Sequence, residues 1–451
     1  MAIDFRVRDF LQPAEIVRMR WLLVRAQWWP SERLVAYQMR RLRAVLTHAA
    51  TEVPFYRAAF AAAGLRPDHV QAPSDLRRLP VVTKRAVLDA GDAMVARDVA
   101  RFDPRTVSST GTSGPALSVL VDRRTNALEF AYYWRHWGWF GYRLGDPFAQ
   151  LAWSPFRGEH RDRPSFTERV TGRLLLNATS LSAERAREWA SAMVRHRARF
   201  LKGHPSALLH FALFVREYRL AVPPLRAVFS TGEVLEASAR RLIQDLLGAP
   251  VADAYGTMER VVAACECPSG RMHVNADYGL WDVEPADRDP LSGQPRARII
   301  GTGLYNYSMP LIRFDLGDVV DASPEGPCPC GRTLPTVGRI HGRSVDAITT
   351  PDGRVVTAAA VVFNGVPGIL RGQLVQEELS HLRVRVLPSP SFGEADAAQL
   401  TERIRLMFGA AMTATVERVT GADAFGLDGE KPRAVISRVT QQAVAAGRAL
   451  P

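Results

Sequence analysis

The sequence predicts an α/β protein with a large layered N-terminal domain and a small α+β module behind it, and three observations carry that expectation. The apolar run 225–229 leads through Ser230-Thr231-Gly232-Glu233 into a segment whose Leu242, Ile243, Leu246 and Leu247 recur at helical spacing before Gly248, which reads as strand, turn, helix and glycine stop. Beyond Arg343 the pattern changes: Pro351-Asp352-Gly353 reads as a tight turn between short strands, and residues 382–386 alternate like a half-buried strand. Ala397, Leu400, Ile404, Met407 and Phe408 then fit one helix face. Finally, 451 residues exceed one ordinary core. The expected division is 1–341 and 342–451.

Taken in order, the first distinctive segment sets Arg18, Arg20 and Arg25 among Trp21, Leu22, Leu23, Trp28 and Trp29. A membrane-surface helix has this composition, but a packed N-terminal helix is the expected reading. Residues 108–115, Ser-Ser-Thr-Gly-Thr-Ser-Gly-Pro, carry hydroxyls and glycines with no bulky side chain. Such a loop turns successive backbone N–H groups inward as an anion nest, although no Gly-Lys-Ser/Thr follows and it is not a Walker loop. Residues 130–142 contain three tryptophans and are expected to pack as a core helix rather than present an aromatic platform.

After the first strand and helix, the run 251–254 delivers Tyr255-Gly256-Thr257-Met258-Glu259, so a carboxylate appears just past a strand end. Ligands gather at the carboxyl ends of strands in open α/β sheets. Arg313-Phe314-Asp315-Leu316-Gly317-Asp318 places two acids and an arginine within six residues. Of the 58 basic side chains only Lys84, Lys202 and Lys431 are lysines, and an ammonium differs from a guanidinium in geometry and hydration. Lys431 stands in Gly429-Glu430-Lys431-Pro432-Arg433, and Lys202 has no role readable from its neighbours.

In this order the segments resemble the phenylacetate-CoA ligase family, with its relatives from capsular polysaccharide clusters, in the adenylate-forming acyl-CoA synthetase superfamily. The resemblance runs nearly the whole length. Leu42-Arg43-Ala44-Val45-Leu46-Thr47-His48-Ala49 and Val53-Pro54-Phe55-Tyr56-Arg57 are similar to the family's opening helix and proline-aromatic turn, and Leu79-Pro80-Val81-Val82-Thr83-Lys84 to its next signature. Ser109 through Pro115 resembles the phosphate loop, Ser230-Thr231-Gly232-Glu233 the adenine-side turn, residues 255–259 the tyrosine-glycine-acid motif and residues 313–318 the ribose motif. Gly342-Arg343 with Asp346 resembles the junction before the C-terminal domain.

The resemblance implies the adenylate-forming fold and an AMP-forming acid-thiol ligase that activates a carboxylic acid, aromatic in this branch, with ATP and passes the acyl group to CoA. An amide- or ester-forming synthetase that transfers to an amine, hydroxyl or carrier protein stays open beside it, as does a non-catalytic nucleotide-binding or nucleic-acid-binding protein on the same scaffold. By the same resemblance Ser109, Thr110, Gly111, Thr112, Ser113 and Gly114 enfold the β- and γ-phosphates. Gly232, Glu233, Tyr255, Gly256 and Thr257 surround the adenine side, and Asp318 takes the ribose hydroxyls, which a carboxylate's two oxygens suit. Glu259 holds Mg²⁺, a hard cation with oxygen ligands, and Arg343 lies near the ribose and α-phosphate. Lys431, on a mobile lid, bridges the substrate carboxylate and the phosphate. Three departures stand out: Ala116 and Leu117 follow Pro115 where a lysine commonly closes the loop, Val345 stands where the hinge usually has an acid or lysine, and Glu430 and Pro432 replace a glycine and an apolar residue around Lys431.

All four cysteines fall in two Cys-x-Cys pairs, Cys265/Cys267 and Cys328/Cys330, with His273 six residues beyond the first. Thiolate and imidazole ligands at such spacing suit tetrahedral zinc. The family resemblance favours Cys267, His273, Cys328 and Cys330 as a structural site, with Cys265 as spare or substitute. Few cysteines and no apolar stretch near 18 residues point to a cytoplasmic protein without membrane insertion. The net charge of +12 invites a nucleic-acid reading, but arginines interleaved with 46 acids and no recognisable binding signature weigh against it. A positive surface also suits polyanionic ATP and CoA. The sequence leaves the oligomeric state open, a dimer included.

Overall fold

A computed structural model describes residues 13–108, 117–152, 168, 171–177, 183–235, 237–286, 295–341, 348–351, 355–356, 359–363, 366, 369–388, 392–420 and 435–439. The chain opens with three helices, α1 (Pro13–Ala26), α2 (Ser31–Glu52) and α3 (Pro54–Ala62). Helix α2 buries Leu34, Leu42, Val45, Leu46 and Ala49 on one face. It stops at Val53, which is extended because the following Pro54 disfavours helical backbone before it. Pro54 then starts α3, where its missing N–H costs nothing. The buried Tyr56 hydroxyl accepts from the Ile312 amide at 2.9 Å. Thr83 caps the short α4 (Lys84–Ala90) by accepting from the Ala86 amide.

A hairpin of β1 (Arg105–Ser108) and β2 (Ser118–Val121) follows. The main sheet then builds on five parallel strands, β3 (Phe148–Ala152), β4 (Arg173–Asn177), β5 (Phe200–Gly203), β6 (Ala227–Thr231) and β7 (Val251–Gly256). Antiparallel β8 (Ala263–Glu266), β9 (Met272–Val274) and β13 (Thr336–Val337) extend it, giving the order β13-β9-β8-β7-β6-β5-β3-β4. Helix α5 (Arg123–Trp139) belongs to the core on one side, with Phe148, Phe200 and Phe229. Helices α6 (Ala183–His196), α7 (Pro205–Glu217) and α8 (Ala237–Leu247) share the other core with Ala149, Leu151, Leu201 and Val228. Successive strand residues thus go to opposite cores, as the period of two requires, and both faces being covered explains the continuous apolar runs. The tryptophan-rich segment expected to pack does so: Phe130, Tyr132, Tyr133 and Trp137 of α5 are buried.

A second sheet of β10 (Gly279–Pro285), β11 (Arg296–Gly303), β12 (Phe314–Asp321) and β14 (Ile340–His341) is wholly antiparallel. The 79–84 signature is tied to it, since the Val82 amide donates to the Arg313 carbonyl and the Asp315 amide to the Val82 carbonyl, both at 2.9 Å.

From Ile348 onward the described residues form separate sheets. β15 (Ile348–Thr349) pairs with β16 (Val355–Val356); of the turn expected between them, Asp352 and Gly353 lie outside the described residues. β17 (Ile369–Glu378), β18 (His381–Pro388), β19 (Thr413–Arg418) and β20 (Val435–Ser437) take the order β19-β18-β17-β20. Leu382, Val384 and Val386 of β18 are buried in alternation and pack with Leu400, Ile404 and Phe408 of α9 (Glu394–Phe408) in a core of their own.

Candidate nucleotide site and cysteine cluster

Parallel pairing of β6 with β7, Thr231 beside Ala254, brings two predicted motifs to neighbouring strand ends. Gly232 has φ +87°, and a Cβ there would lie 2.6 Å from the His204 ring, so the turn needs glycine for both conformation and space. Beside it the Tyr133 hydroxyl meets Thr231 Oγ1 at 3.3 Å. A Cβ on Gly256 would come within 3.0 Å of the Tyr132 hydroxyl, so α5 supports both strand ends from below. Glu233 is half-buried in the turn after β6. Thr257 and Glu259 lie in the connection from β7 to β8, where Glu259 is buried. Thr257 Oγ1 is buried with no hydrogen-bond partner among the described residues, an unspent donor of the sort a ligand would engage. The next residue after Glu259, Arg260, reaches back to Asn126 Oδ1 at 2.7 Å.

The second sheet supplies the remaining partner. Tyr255 donates its hydroxyl to Asp318 Oδ2 at 2.7 Å, and its ring meets Trp281 edge-on at 5.8 Å between centroids. Two motifs separated by 63 positions therefore converge. The other acid of the motif serves the fold, since Asp315 accepts from the Gly317 amide at 2.9 Å and from Arg298 at 3.1 Å. The buried Arg313 is committed as well, to Glu284 at 2.5 Å. Ser109, Thr110, Gly111, Thr112, Ser113, Gly114, Arg343 and Lys431 lie outside the described residues.

Cys267, His273, Cys328 and Cys330 come together, their ligand atoms all within 4.8 Å of one another. Cys267 and Cys328 sulfurs are 3.6 Å apart, and Cys330 Sγ lies 3.3 Å from His273 Nε2. His273 Nδ1 faces the Leu334 carbonyl at 2.8 Å, which places the proton on Nδ1 and turns Nε2 toward the sulfurs. Burial lowers the His273 pKa, favouring the neutral imidazole a metal takes. Partial burial works against ionisation of Cys330, yet hydrogen bonds from Arg332 bring its pKa down. Cys265 stands apart on β8, accepting from Asn275 Nδ2 at 3.5 Å. Three sulfurs and one oriented nitrogen at these separations fit tetrahedral zinc.

Sequence reasoning missed a buried polar cluster beneath these strand ends. Glu129 accepts from the Tyr278 hydroxyl at 2.7 Å, and burial raises its pKa. Lys202 shares the α5 side of β5, with Nζ 4.1 Å from the Tyr133 ring centroid and no hydrogen-bond acceptor among the described residues. Burial pulls its pKa down to about 7. On the opposite, α8 side of the sheet, burial and the neighbouring Glu266 raise the pKa of Asp253 of β7 to about 7. The isolated lysine within an apolar run was the one available sign. A cavity of about 530 Å³ opens elsewhere, among Trp281, Val320 and Thr336, and no residue predicted for the nucleotide lines it.

No protein-family profile matches the sequence. Over 382 residues, 81% of each chain, it is 24% identical to a protein named phenylacetate-coenzyme A ligase from Thermus thermophilus. A protein of the same name from Escherichia coli K12 is 24% identical over 70% of this chain and 72% of its own. Protein CapK of Staphylococcus aureus is 22% identical over 51% of each, so the chain matches about half of that relative's length. Among solved structures, 2-hydroxyisobutyryl-CoA ligase with 2-HIB-AMP and CoA in the thioesterification state aligns with a TM-score of 0.62 at 22% identity, covering 94% of each chain. The same enzyme in its postadenylation state gives 0.58 over the same share.

Proposed function

We propose, with the chain taken as a distant relative of the phenylacetate-CoA ligases built on the adenylate-forming acyl-CoA ligase fold, that it is an AMP-forming carboxylate-CoA ligase. A substrate carboxylate oxygen attacks the α-phosphorus of ATP, the bond to the bridging oxygen breaks and pyrophosphate leaves. The CoA sulfur then attacks the carbonyl of the acyl-adenylate, gives up its proton and displaces AMP. The observation that carries this reading is the Tyr255 to Asp318 hydrogen bond, which gathers a strand-end turn and an acid from two sheets into one site.

In this reading Asp318 binds the ribose hydroxyls, oriented by Tyr255, while Gly232, Glu233, Gly256 and Thr257 line the adenine side. Residues Ser109, Thr110, Gly111, Thr112, Ser113 and Gly114 receive the phosphates with backbone N–H groups and hydroxyls. Arg343 neutralises charge near the α-phosphate. Lys431 aligns the two anions and lowers their repulsion, an electrostatic and positional contribution, from a C-terminal lid domain of residues 342–451.

Glu259 suits Mg²⁺, to which it offers a buried carboxylate oxygen; the ion would offset phosphate charge. Cys267, His273, Cys328 and Cys330 would hold zinc as a closed, purely structural centre.

Carboxylate-dependent exchange of labelled pyrophosphate into ATP, across a panel of aromatic and short hydroxy acids, tests the first half. Product mass with CoA, or with amines in its place, tests the second. The reading expects acid-dependent exchange and a CoA thioester; it is overturned if no acid stimulates exchange.

A further inference from the structure

Helix α1 is committed on one side only. Ile16, Met19, Leu23 and Ala26 are buried, and their spacing makes a single inward stripe. The opposite stripe is also apolar: Val17 is 63% exposed, Trp21 56%, Val24 37% and Trp28, just past the helix end, 50%. Positions 17, 21, 24 and 28 follow one another by four, three and four, so they share one face. Val35, at the start of α2, adds another exposed apolar side chain. Five of the nine large hydrophobic residues exposed among the described residues therefore lie between 17 and 35. Scattered exposed hydrophobics need no explanation, whereas a contiguous set does.

The border of this stripe is cationic. Arg18 and Arg25 flank it on one side and Arg20 on the other, all exposed, and Arg33 and Arg40 are further exposed cations on the following helix α2. Arg25 lies 3.8 Å from the Trp21 ring centroid, and Arg332 lies 5.2 Å from that of Trp28. From Glu15 to Arg43 the chain carries seven arginines against two glutamates, and one of those, Glu15, is already bonded to Arg18 at 2.7 Å.

We propose that the α1 face is a peripheral docking surface for an anionic lipid bilayer. Tryptophan is the side chain that settles at the boundary between headgroups and acyl chains, and a helix with an apolar stripe edged by arginine lies in that plane. Between Val17 and Trp28 the stripe extends roughly 16 Å at the helical rise, so it lies along the surface. No described helix is long and apolar enough to cross a membrane. A second copy of the chain fits the face less well, because a two-fold contact would set Arg18, Arg20 and Arg25 against their own counterparts. Anionic headgroups instead meet each guanidinium with opposite charge, an attraction that weakens within a Debye length as salt is added.

The test is co-sedimentation of the full chain with vesicles of phosphatidylcholine alone and of phosphatidylcholine with one quarter phosphatidylglycerol. Binding is expected to the anionic vesicles at low salt, with at least about a ten-fold loss on neutral vesicles or at 0.5 M salt. Trp21→Ser with Trp28→Ser, and separately Arg20→Gln with Arg25→Gln, are each expected to lower the partition coefficient about ten-fold or more. Their circular dichroism and melting midpoint should match wild type, since these side chains are exposed. Binding that ignores lipid charge, or that both double variants retain, overturns the proposal. So does absence of binding, or a dimer in sedimentation that Trp21→Ser with Trp28→Ser dissociates, which would assign the face to a second copy.

Discussion

The Tyr255 hydroxyl, at the end of β7 in the parallel sheet, donates to the Asp318 carboxylate on β12 of the antiparallel sheet at 2.7 Å. One hydrogen bond thus fixes the separation of the two proposed nucleotide walls. A bond to a charged acceptor contributes about 1.5–3 kcal/mol, so Tyr255→Phe should raise the KM for ATP roughly ten-fold with a smaller effect on kcat. Asp318→Ala, which also removes the proposed ribose ligand, should cost about 100-fold in kcat/KM. Pyrophosphate-exchange kinetics at varied ATP decide it; an unaltered KM in both variants would remove these residues from the site.

Lys431→Ala should slow acid-dependent exchange by about 10² to 10³, the usual loss for one preorganised donor. Thioester formation from supplied acyl-adenylate should persist, because CoA attack does not need the ammonium in its adenylation position. Adenylation at the wild-type rate would sink the assignment.

Purified protein should carry one zinc. Cys330→Ser should lose it, and a penalty of about 2 kcal/mol would lower the melting midpoint by roughly 3 °C for a domain of the size proposed for residues 1–341. Cys265→Ser should retain the metal, since Cys265 stands outside the cluster. Metal analysis of the two variants side by side checks both statements.

Lys202 makes a pH-dependent contribution. Burial lowers its folded pKa from 10.5 to about 7, so between these values the unfolded chain holds one more proton than the folded one. Stability therefore rises with pH across that window, and the cost of the charge is greatest below it. Lys202→Met should stabilise the protein at pH 7 by at least about 1 kcal/mol, with a gain that fades toward pH 10. Denaturant unfolding at pH 6, 7, 8.5 and 10 measures this; a variant less stable at every pH would mean that the contacts with Tyr133 and Trp137 outweigh the desolvation of the ammonium.

Local pattern carried much of the fold. The helical spacing of Leu242, Ile243, Leu246 and Leu247 and the stop at Gly248 reappear as α8 and its end, where Gly248 has φ +63°. The alternation in β18 survives because each residue there decides its own side of the sheet. Relations between distant residues were less visible. Nothing near Tyr255 or Asp318 announces their bond, since it depends on how two sheets meet. Arg135 was equally silent: buried on α5, it donates to Asn275 at 2.6 Å and to both carboxylate oxygens of Asp277, a pairing set by tertiary packing. The clustering of Cys267, His273, Cys328 and Cys330 follows from combining spacing with family order. Spacing alone could not separate Cys265 from Cys267, because direction across β8 and its end, rather than interval, puts one thiol in the core and the other in the cluster.

The cysteine cluster also bears on how the main sheet ends. Strand β13 is two residues long and, among the described residues, pairs with β9 alone, while Cys328 and Cys330 lie just upstream on the same segment, Cys267 lies between β8 and β9, and His273 lies within β9. A bound zinc would pin this short flap over an edge whose backbone groups could otherwise template pairing with another chain. Its removal would then be felt first as self-association, with intermolecular β-structure forming on the uncovered side of β9, before the proposed ligase chemistry is lost.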